Sequence, residues 1–346
     1  MYKHSKHMIK TDIIIIGAGP VGLFTVFEAG LLKLKCHLID ALPIPGGQCA
    51  EIYPKKPIYD IPGYPEVLAG NLVDNLMNQI KPFNPGFTLG ETALNVEKSA
   101  NNQFIVTTKE GTQHQAPVVA IAGGLGVFIP RKPPIQNISS FENKGVNYIV
   151  KDPDLFKDKR IVISGGGDSA LDWALYFANG FCSDVTLIHR SQQFRAHPDS
   201  VQRAMDMAKN GKLKMVLDSE VIGLEGNAHL EQITIKTKGA ENSTITTDYW
   251  LPLFGLTPKL GPIANWGLEI EKNAIVVDNS TDYSTNIDGI YAIGDVNTYP
   301  GKLKLILCGF HEGTIMVQSA FKRIYPNKNH VLKYTTVTGI VGFDNK

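Results

Sequence analysis

The sequence is poor in cysteine, in net charge and in long apolar runs, and each shortage excludes a class of protein. Four cysteines occur in 346 residues, Cys36, Cys49, Cys182 and Cys308, and no two are spaced C-x-x-C. A disulfide-built scaffold is excluded, and a reducing cytoplasm fits. The 34 Lys and Arg against 33 Asp and Glu leave a formal net charge of +1, so bulk charge offers no handle for nucleic acid or a membrane surface. No apolar run approaches the ~18 residues that cross a bilayer. Residues 1–10 hold three lysines and two histidines, not the apolar core of a signal peptide. The nine histidines show no H-E-x-x-H spacing, so no metal site is expected.

What remains is a globular chain. Hydrophobic residues at 43% supply material for two cores, and at roughly 150 residues per domain the length gives two domains. A β-branched run at 12–16 predicts a strand, 25–32 with its upstream residues a helix, and 35–39 a second strand. Residues 43–65 are too rich in turn formers for regular structure, and 67–80 reads as helix. Strands are expected at 104–108 and 118–122. Glycines at 123–126 and the run 131–134 then punctuate the chain. A second strand–glycine–helix–strand unit follows at 160–164, 170–177 and 184–188. Strand-like runs at 214–217, 232–236, 249–254, 275–277 and 290–293 and a helix at 314–323 complete the pattern. The doubled glycine motif predicts two related nucleotide folds rather than a solenoid.

The first cradle is GAGPVG, with Gly17, Gly19 and Gly22 in G-x-G-x-x-G spacing. Gly17 serves the tight turn, Gly19 lets backbone approach a pyrophosphate, and Gly22 lets helix and strand pack closely. The helix N-terminus offers N–H groups to phosphate. Asp40, 18 residues after Gly22, stands where an acid would bond ribose hydroxyls. The alternative is a structural turn with a surface aspartate. The second cradle, Gly165, Gly166, Gly167, Asp168, Ser169 and Ala170, fits G-x-G-x-x-A. Its second strand ends in His189 and Arg190, with Arg195 close by, and no acid. An aspartate would repel a 2′-phosphate and a guanidinium would grip it, so NADP(H) is expected over NAD(H). The alternative is a solvated basic loop. Two cofactors in one chain imply electron transfer between them.

Two further segments, GGQ at 46–48 and AIGDV at 292–296, complete a resemblance to the thioredoxin-reductase-like flavoproteins. Thioredoxin reductases carry C-x-x-C just before the second glycine motif. The matching stretch 146–152 here has no cysteine, so that disulfide relay is excluded. Nearly end to end, the chain resembles the ferredoxin (flavodoxin)–NADP reductases of the thioredoxin-reductase type. The segments that carry this are GGQCAEIYP at 46–54, IYDIPGYP at 58–65, GVFIPRK at 126–132 and GGGDSALDWAL at 165–175. The runs 189–197, NWGL at 265–268 and YTT at 334–336 also belong to it.

The resemblance implies an α/β chain with two Rossmann-like dinucleotide-binding domains, the second inserted in the first. An FAD-binding domain would span 1–124 and 290–346, and an NADPH-binding domain 125–289. Pro20, Asp40, Gln48, Tyr53, Ala93, Phe128, Asp295 and Thr336 are implied at FAD. Tyr53 would stack on one flavin face, and Tyr334 falls where the family places a ring on the other. Read from the residues alone, Tyr53 and Phe128 would also suit ordinary packing. By the same resemblance NADPH reduces the flavin, which passes electrons singly to ferredoxin or flavodoxin, and the protein is a homodimer. Such carriers are usually acidic, so Lys55, Lys56, Arg131, Lys132, Lys302 and Lys304 are docking candidates, against a solvated charged face as the default. Residues 123–126 and 288–290 are candidate hinges. His197 and His311 read as structural rather than acid–base groups. Two other readings stay open, a flavin disulfide reductase with another acceptor and a non-enzymatic flavin or NADPH sensor.

Overall fold

The computed structural model describes residues 8–126, 129–257, 259–328, 335, 339 and 340. The chain divides into two compact units, one of Met1–Val127 with Pro258–Lys346 and one of Phe128–Thr257.

Four consecutive isoleucines form β1 (Ile13–Ile16), and all four are buried. A strand apolar on both faces belongs in the middle of a parallel sheet. The glycine loop leads into α1 (Pro20–Leu31), then β2 (Cys36–Asp40). The turn-rich stretch holds a four-residue helix, α2 (Gln48–Glu51), and a two-residue strand, Pro57–Ile58, paired with Val67–Leu68. Helix α3 (Ala69–Ile80) buries Leu72, Val73, Leu76 and Ile80, a 3.6-residue stripe. Strand β3 (Gly86–Leu89) follows, then the antiparallel strands β4 (Ala93–Lys98), β5 (Phe104–Thr108) and β6 (Gln113–Ala116), and β7 (Val118–Ile121).

The second unit repeats the opening as β8 (Arg160–Ser164), α4 (Asp168–Ala178) and β9 (Asp184–Ile188). Helix α5 (Pro198–Lys209) and β10 (Lys214–Val216) come next. An antiparallel sheet of β11 (Ser219–Glu225), β12 (Gln232–Thr237) and β13 (Ser243–Thr246) precedes β14 (Tyr249–Pro252). The first unit is completed by β15 (Ile290–Ala292) and α6 (Ile306–Ile324).

Each unit has a parallel sheet built on one plan. The first runs β15-β7-β1-β2-β3 and the second β10-β9-β8-β14. In each, the opening strand has its sequence successor on one side and a much later strand on the other. Strand order therefore reverses at β1/β7 and at β8/β14. Ligands of open parallel sheets bind beyond the strand ends at such reversals.

The structure moves one boundary. Leu260, Ile263, Trp266, Leu268, Ile275, Val277 and Tyr283 are buried in the first unit's core, and Trp266 Nε1 donates to Leu94 O at 3.1 Å. Residues 258–289 therefore pack with the first unit, where the sequence reading had given them to the second. The chain passes between units at 127–128 and 257–258. The expected hinge at 288–290 is instead clamped inside the first unit: Arg323 donates to Asp288 Oδ1 at 2.5 Å and to Pro117 O at 3.2 Å. The last helix also starts earlier than its sequence suggests, since Gly309 and Gly313 are packing positions rather than breakers.

Candidate functional site

The first cradle lies at the first reversal point. Gly17 has φ +111°, and a Cβ there would run into Ala122 O at 2.4 Å. A Cβ on Gly22 would collide with Gly17 O. Gly19 is different: the nearest atom to its virtual Cβ is Gly47 Cα at 3.9 Å. The 46–47 loop is fastened to the cradle, Gly46 N donating to Ala18 O at 2.8 Å. Two glycine backbones thus face each other with no side chain between them. Gly19 is the N-cap of helix α1, which has Pro20 in its first turn, no side-chain cap and no acid. Its N-terminal N–H groups and partial positive charge are available to an anion.

Asp40 ends β2 beside this loop. Its Oδ2 accepts from Ala18 N at 2.6 Å and its Oδ1 from Leu42 N at 2.8 Å. Burial raises its pKa and those two hydrogen bonds oppose the rise. Gln48 opens α2, with Nε2 3.5 Å from where a Gly124 Cβ would stand. Tyr53 is half-buried against the core and hydrogen-bonded to Cys49, and burial pushes its phenol well up. Ala93 is buried at the start of β4. Phe128, Tyr334 and Thr336 lie outside the described residues.

Asp295 sits in a turn, Gly294–Val296, after β15. Its carboxylate accepts no hydrogen bond from the described residues. Burial raises its pKa, while Lys302 and Lys304 pull it down. The turn itself is wrapped around Glu312 of α6, which is fully buried. Glu312 Oε2 accepts from Gly294 N at 2.6 Å and Asn297 Nδ2 at 2.9 Å. Its Oε1 accepts from Tyr299 OH at 2.9 Å and from Lys302 Nζ. Sequence reasoning missed Glu312 and took Lys302 for a surface docking residue. The Lys302 side chain is only 6% exposed, because its ammonium is spent on that carboxylate. A readable signal existed: Glu312 falls on the α6 face of Gly309, Gly313 and Met316, and a charge on a buried face needs a partner.

The second cradle repeats the first. A Cβ on Gly165 would meet Leu253 O at 2.6 Å, as one on Gly17 meets Ala122 O. Nothing lies within 4 Å of a Cβ on Gly167, which caps α4 without any side-chain hydrogen bond. Asp168 and Ser169 are exposed in the first turn. The Asp168 carboxylate accepts from His197 N at 2.8 Å, and Arg195 N donates to Gly166 O at 2.7 Å. These two bonds stitch the basic loop to the cradle. His189 stacks on Phe194, ring centroids 4.7 Å apart, and its Nε2 contacts Gln193 O at 3.0 Å. That ring fills the space a Gly166 side chain would need, a job the sequence did not reveal. Arg190 and Arg195 are both exposed on the loop.

Other candidates have plainer places. His197 caps α5, its Nδ1 accepting from Asp199 N at 3.3 Å, and His311 is exposed on α6. Lys132 pairs with Glu142 at 2.6 Å and lies over the Tyr148 ring, whereas Lys304 is exposed. All four cysteines are unpaired. Burial pushes the Cys49 thiol up to about 11. Among the described residues no His, Cys, Asp and Glu cluster could hold a metal, and no helix is long and apolar enough to cross a membrane.

Comparison with known proteins agrees with this architecture. The family profile described as pyridine nucleotide-disulphide oxidoreductase matches residues 11–316. Ferredoxin–NADP reductase 2 of Christiangramia forsetii is 67% identical over 341 residues, covering 97% of this chain and 96% of that one. Ferredoxin–NADP reductase of Flavobacterium johnsoniae is 65% identical over 337 residues, with the same 97% and 96% covered. The crystal structure of Lactococcus lactis thioredoxin reductase in its FR conformation superposes with a TM-score of 0.77 at 25% identity, covering 91% of this chain and 99% of that one. The fold is thus thioredoxin-reductase-like, and the chain belongs to the pyridine nucleotide-disulphide oxidoreductase family, among its ferredoxin–NADP reductases.

Proposed function

We propose that this chain passes electrons from NADPH through FAD to ferredoxin or flavodoxin. The observation that carries the reading is the pair of matching cradles with opposite chemistry beside them, Asp40 at one and Arg190 with Arg195 at the other. Bound FAD supplies two-electron acceptance and one-electron release, which no side chain can do.

The first unit fits FAD. The facing Gly19 and Gly47 backbones and the uncapped α1 leave a cradle that any Cβ would begin to fill. Asp40 stands at the ribose position, and the unbonded Asp295 carboxylate is an acceptor for a cofactor hydroxyl. Gln48 and Tyr53 flank the flavin ring, with Tyr53 as a stacking face. Pro20 and Ala93, and by resemblance Phe128, Tyr334 and Thr336, complete the shell. The second unit fits NADPH, with Gly165, Gly167, Asp168 and Ser169 at the pyrophosphate and His189, Arg190 and Arg195 around the 2′-phosphate. By the same resemblance the protein works as a cytoplasmic homodimer.

Anaerobic stopped-flow absorbance tests this. NADPH should bleach the bound flavin rapidly, NADH slowly, and oxidised ferredoxin should restore the colour. A yellow protein that NADPH leaves unbleached would favour a sensor. A disulfide reductase is disfavoured by the buried, protonated Cys49 thiol and the lack of a dithiol pair. Loss of ferredoxin reduction on alkylating the accessible thiols would revive it.

A further inference from the structure

We propose that Glu312 is a positioning residue for FAD: it holds the 294–302 turn so that Asp295 is presented unbonded to the cofactor, and Lys302 balances its charge. This rests on the reading of Asp295 as an FAD contact.

The geometry begins with two glycines. A Cβ on Gly309 would collide with Val21 of α1, and one on Gly313 would stand 2.6 Å from Thr25 Oγ1. Helix α6 therefore lies close against α1, and Glu312, between those two glycines in sequence, is fully buried. A buried carboxylate is stable only when its lone pairs are met and its charge is balanced. Here the donors come from residues 294, 297, 299 and 302, spread along one turn. One side chain thus fixes the path of nine residues. Asn297 adds a tie to the sheet, its Nδ2 also donating to Ala292 O at 2.8 Å. Both neighbours of that nitrogen are acceptors, so the amide cannot turn over.

The consequence falls on Asp295. The side-chain donors Asn297 Nδ2, Tyr299 OH and Lys302 Nζ are committed to Glu312 and so do not bond the Asp295 carboxylate. Without Glu312 the Lys302 ammonium, which already acts on Asp295, would be free to pair with it. The acceptor offered to the cofactor would then be lost.

The test follows FAD release from the full-length holoenzyme after dilution, by recovery of free-flavin fluorescence. Glu312→Gln and Lys302→Met should each release FAD about tenfold faster or more, since the first frees Lys302 to pair with Asp295 and the second leaves the buried Glu312 carboxylate unbalanced. The double variant should return to within about threefold of the parent, since neither charge is then unbalanced. A purely structural role predicts that faster release is matched by a lower melting temperature of the FAD-free protein, whereas a positioning role speeds release beyond what any loss of melting temperature accounts for. Should Glu312→Gln not fold, the double variant must still hold FAD more tightly than Lys302→Met. Additive losses, or a parental release rate for Glu312→Gln, overturn the proposal. Asp295→Asn separates the premises. If it accelerates release while Glu312→Gln does not, Asp295 stays an FAD contact and only the role of Glu312 falls. If it has no effect, the Asp295 reading falls and takes the proposal with it.

Discussion

Arg190 shows how much one side chain can decide. It stands exposed one residue beyond His189, which takes the place that Asp40 has in the first unit, and a guanidinium–phosphate contact is worth about 1.5–3 kcal/mol. Arg190→Gln should raise the KM for NADPH by about 10- to 100-fold and change NADH turnover about twofold or less, as steady-state kinetics would read. Gly22 is as exacting for a steric reason. Gly22→Ala places a methyl into Gly17 O, and the flavin-to-protein absorbance ratio of the purified variant should fall well below the parent. A third residue-scale feature was invisible in the sequence. Thr88 Oγ1 bridges two buried histidines, at 2.8 Å to His37 and 2.9 Å to His114. Burial, then the neighbouring His114, drives His37 from 6.5 down to about 4, and burial lowers His114 too. The folded state therefore binds fewer protons than the unfolded state below neutrality. The stability this pair supports is intact above about pH 6.5 and is lost as pH falls toward about 4. Melting at pH 7.5 and pH 5 should show a drop of several degrees that His37→Gln makes smaller.

At the scale of elements, both cradles were legible because glycine spacing reports directly on backbone conformation and close approach. The isoleucine run of β1 and the Ile-Val-Ile of β8 were equally plain, since central parallel strands are apolar on both faces. Helix α5 was not read, because its stripe of Val201, Ala204, Met205 and Ala208 is short, lies among polar residues and has only Ala204 buried. Strand β3 was hidden by its Gly-Phe-Thr-Leu composition, and its place is set by pairing with β2. The 258–289 segment misled for a different reason: its apolar residues sit in loops, a short turn and strands of two or three residues, so no period announced which core they join. One element-scale prediction concerns β8 and β14. Trp250 Nε1, in a fully buried side chain, donates to Ser164 Oγ at 2.8 Å. Ser164→Ala strands that N–H and should cost about 1–3 kcal/mol in urea unfolding.

For the whole molecule, carrier docking is the property least visible in composition, since the net charge is +1. Of the candidate lysines, Lys302 is removed by its burial, while Lys304 is exposed and close enough to act on Asp295. Lys304→Glu should raise the KM for an acidic ferredoxin several-fold at low salt, and the difference should fade at high salt.

The passages between the units have a consequence for what the chain can be cut into. Gly126 and Lys259 form a bridge on the first unit's side, and Ile129–Pro130 pairs with Leu256–Thr257 on the second's. Entry and exit of the inserted unit are thus neighbours, and the insert is a cassette whose removal leaves two ends already side by side. Joining 126 to 259 through a short glycine linker should give a yellow protein that dithionite bleaches and NADPH does not. The two cradles would then be two separable proteins, each keeping its own nucleotide.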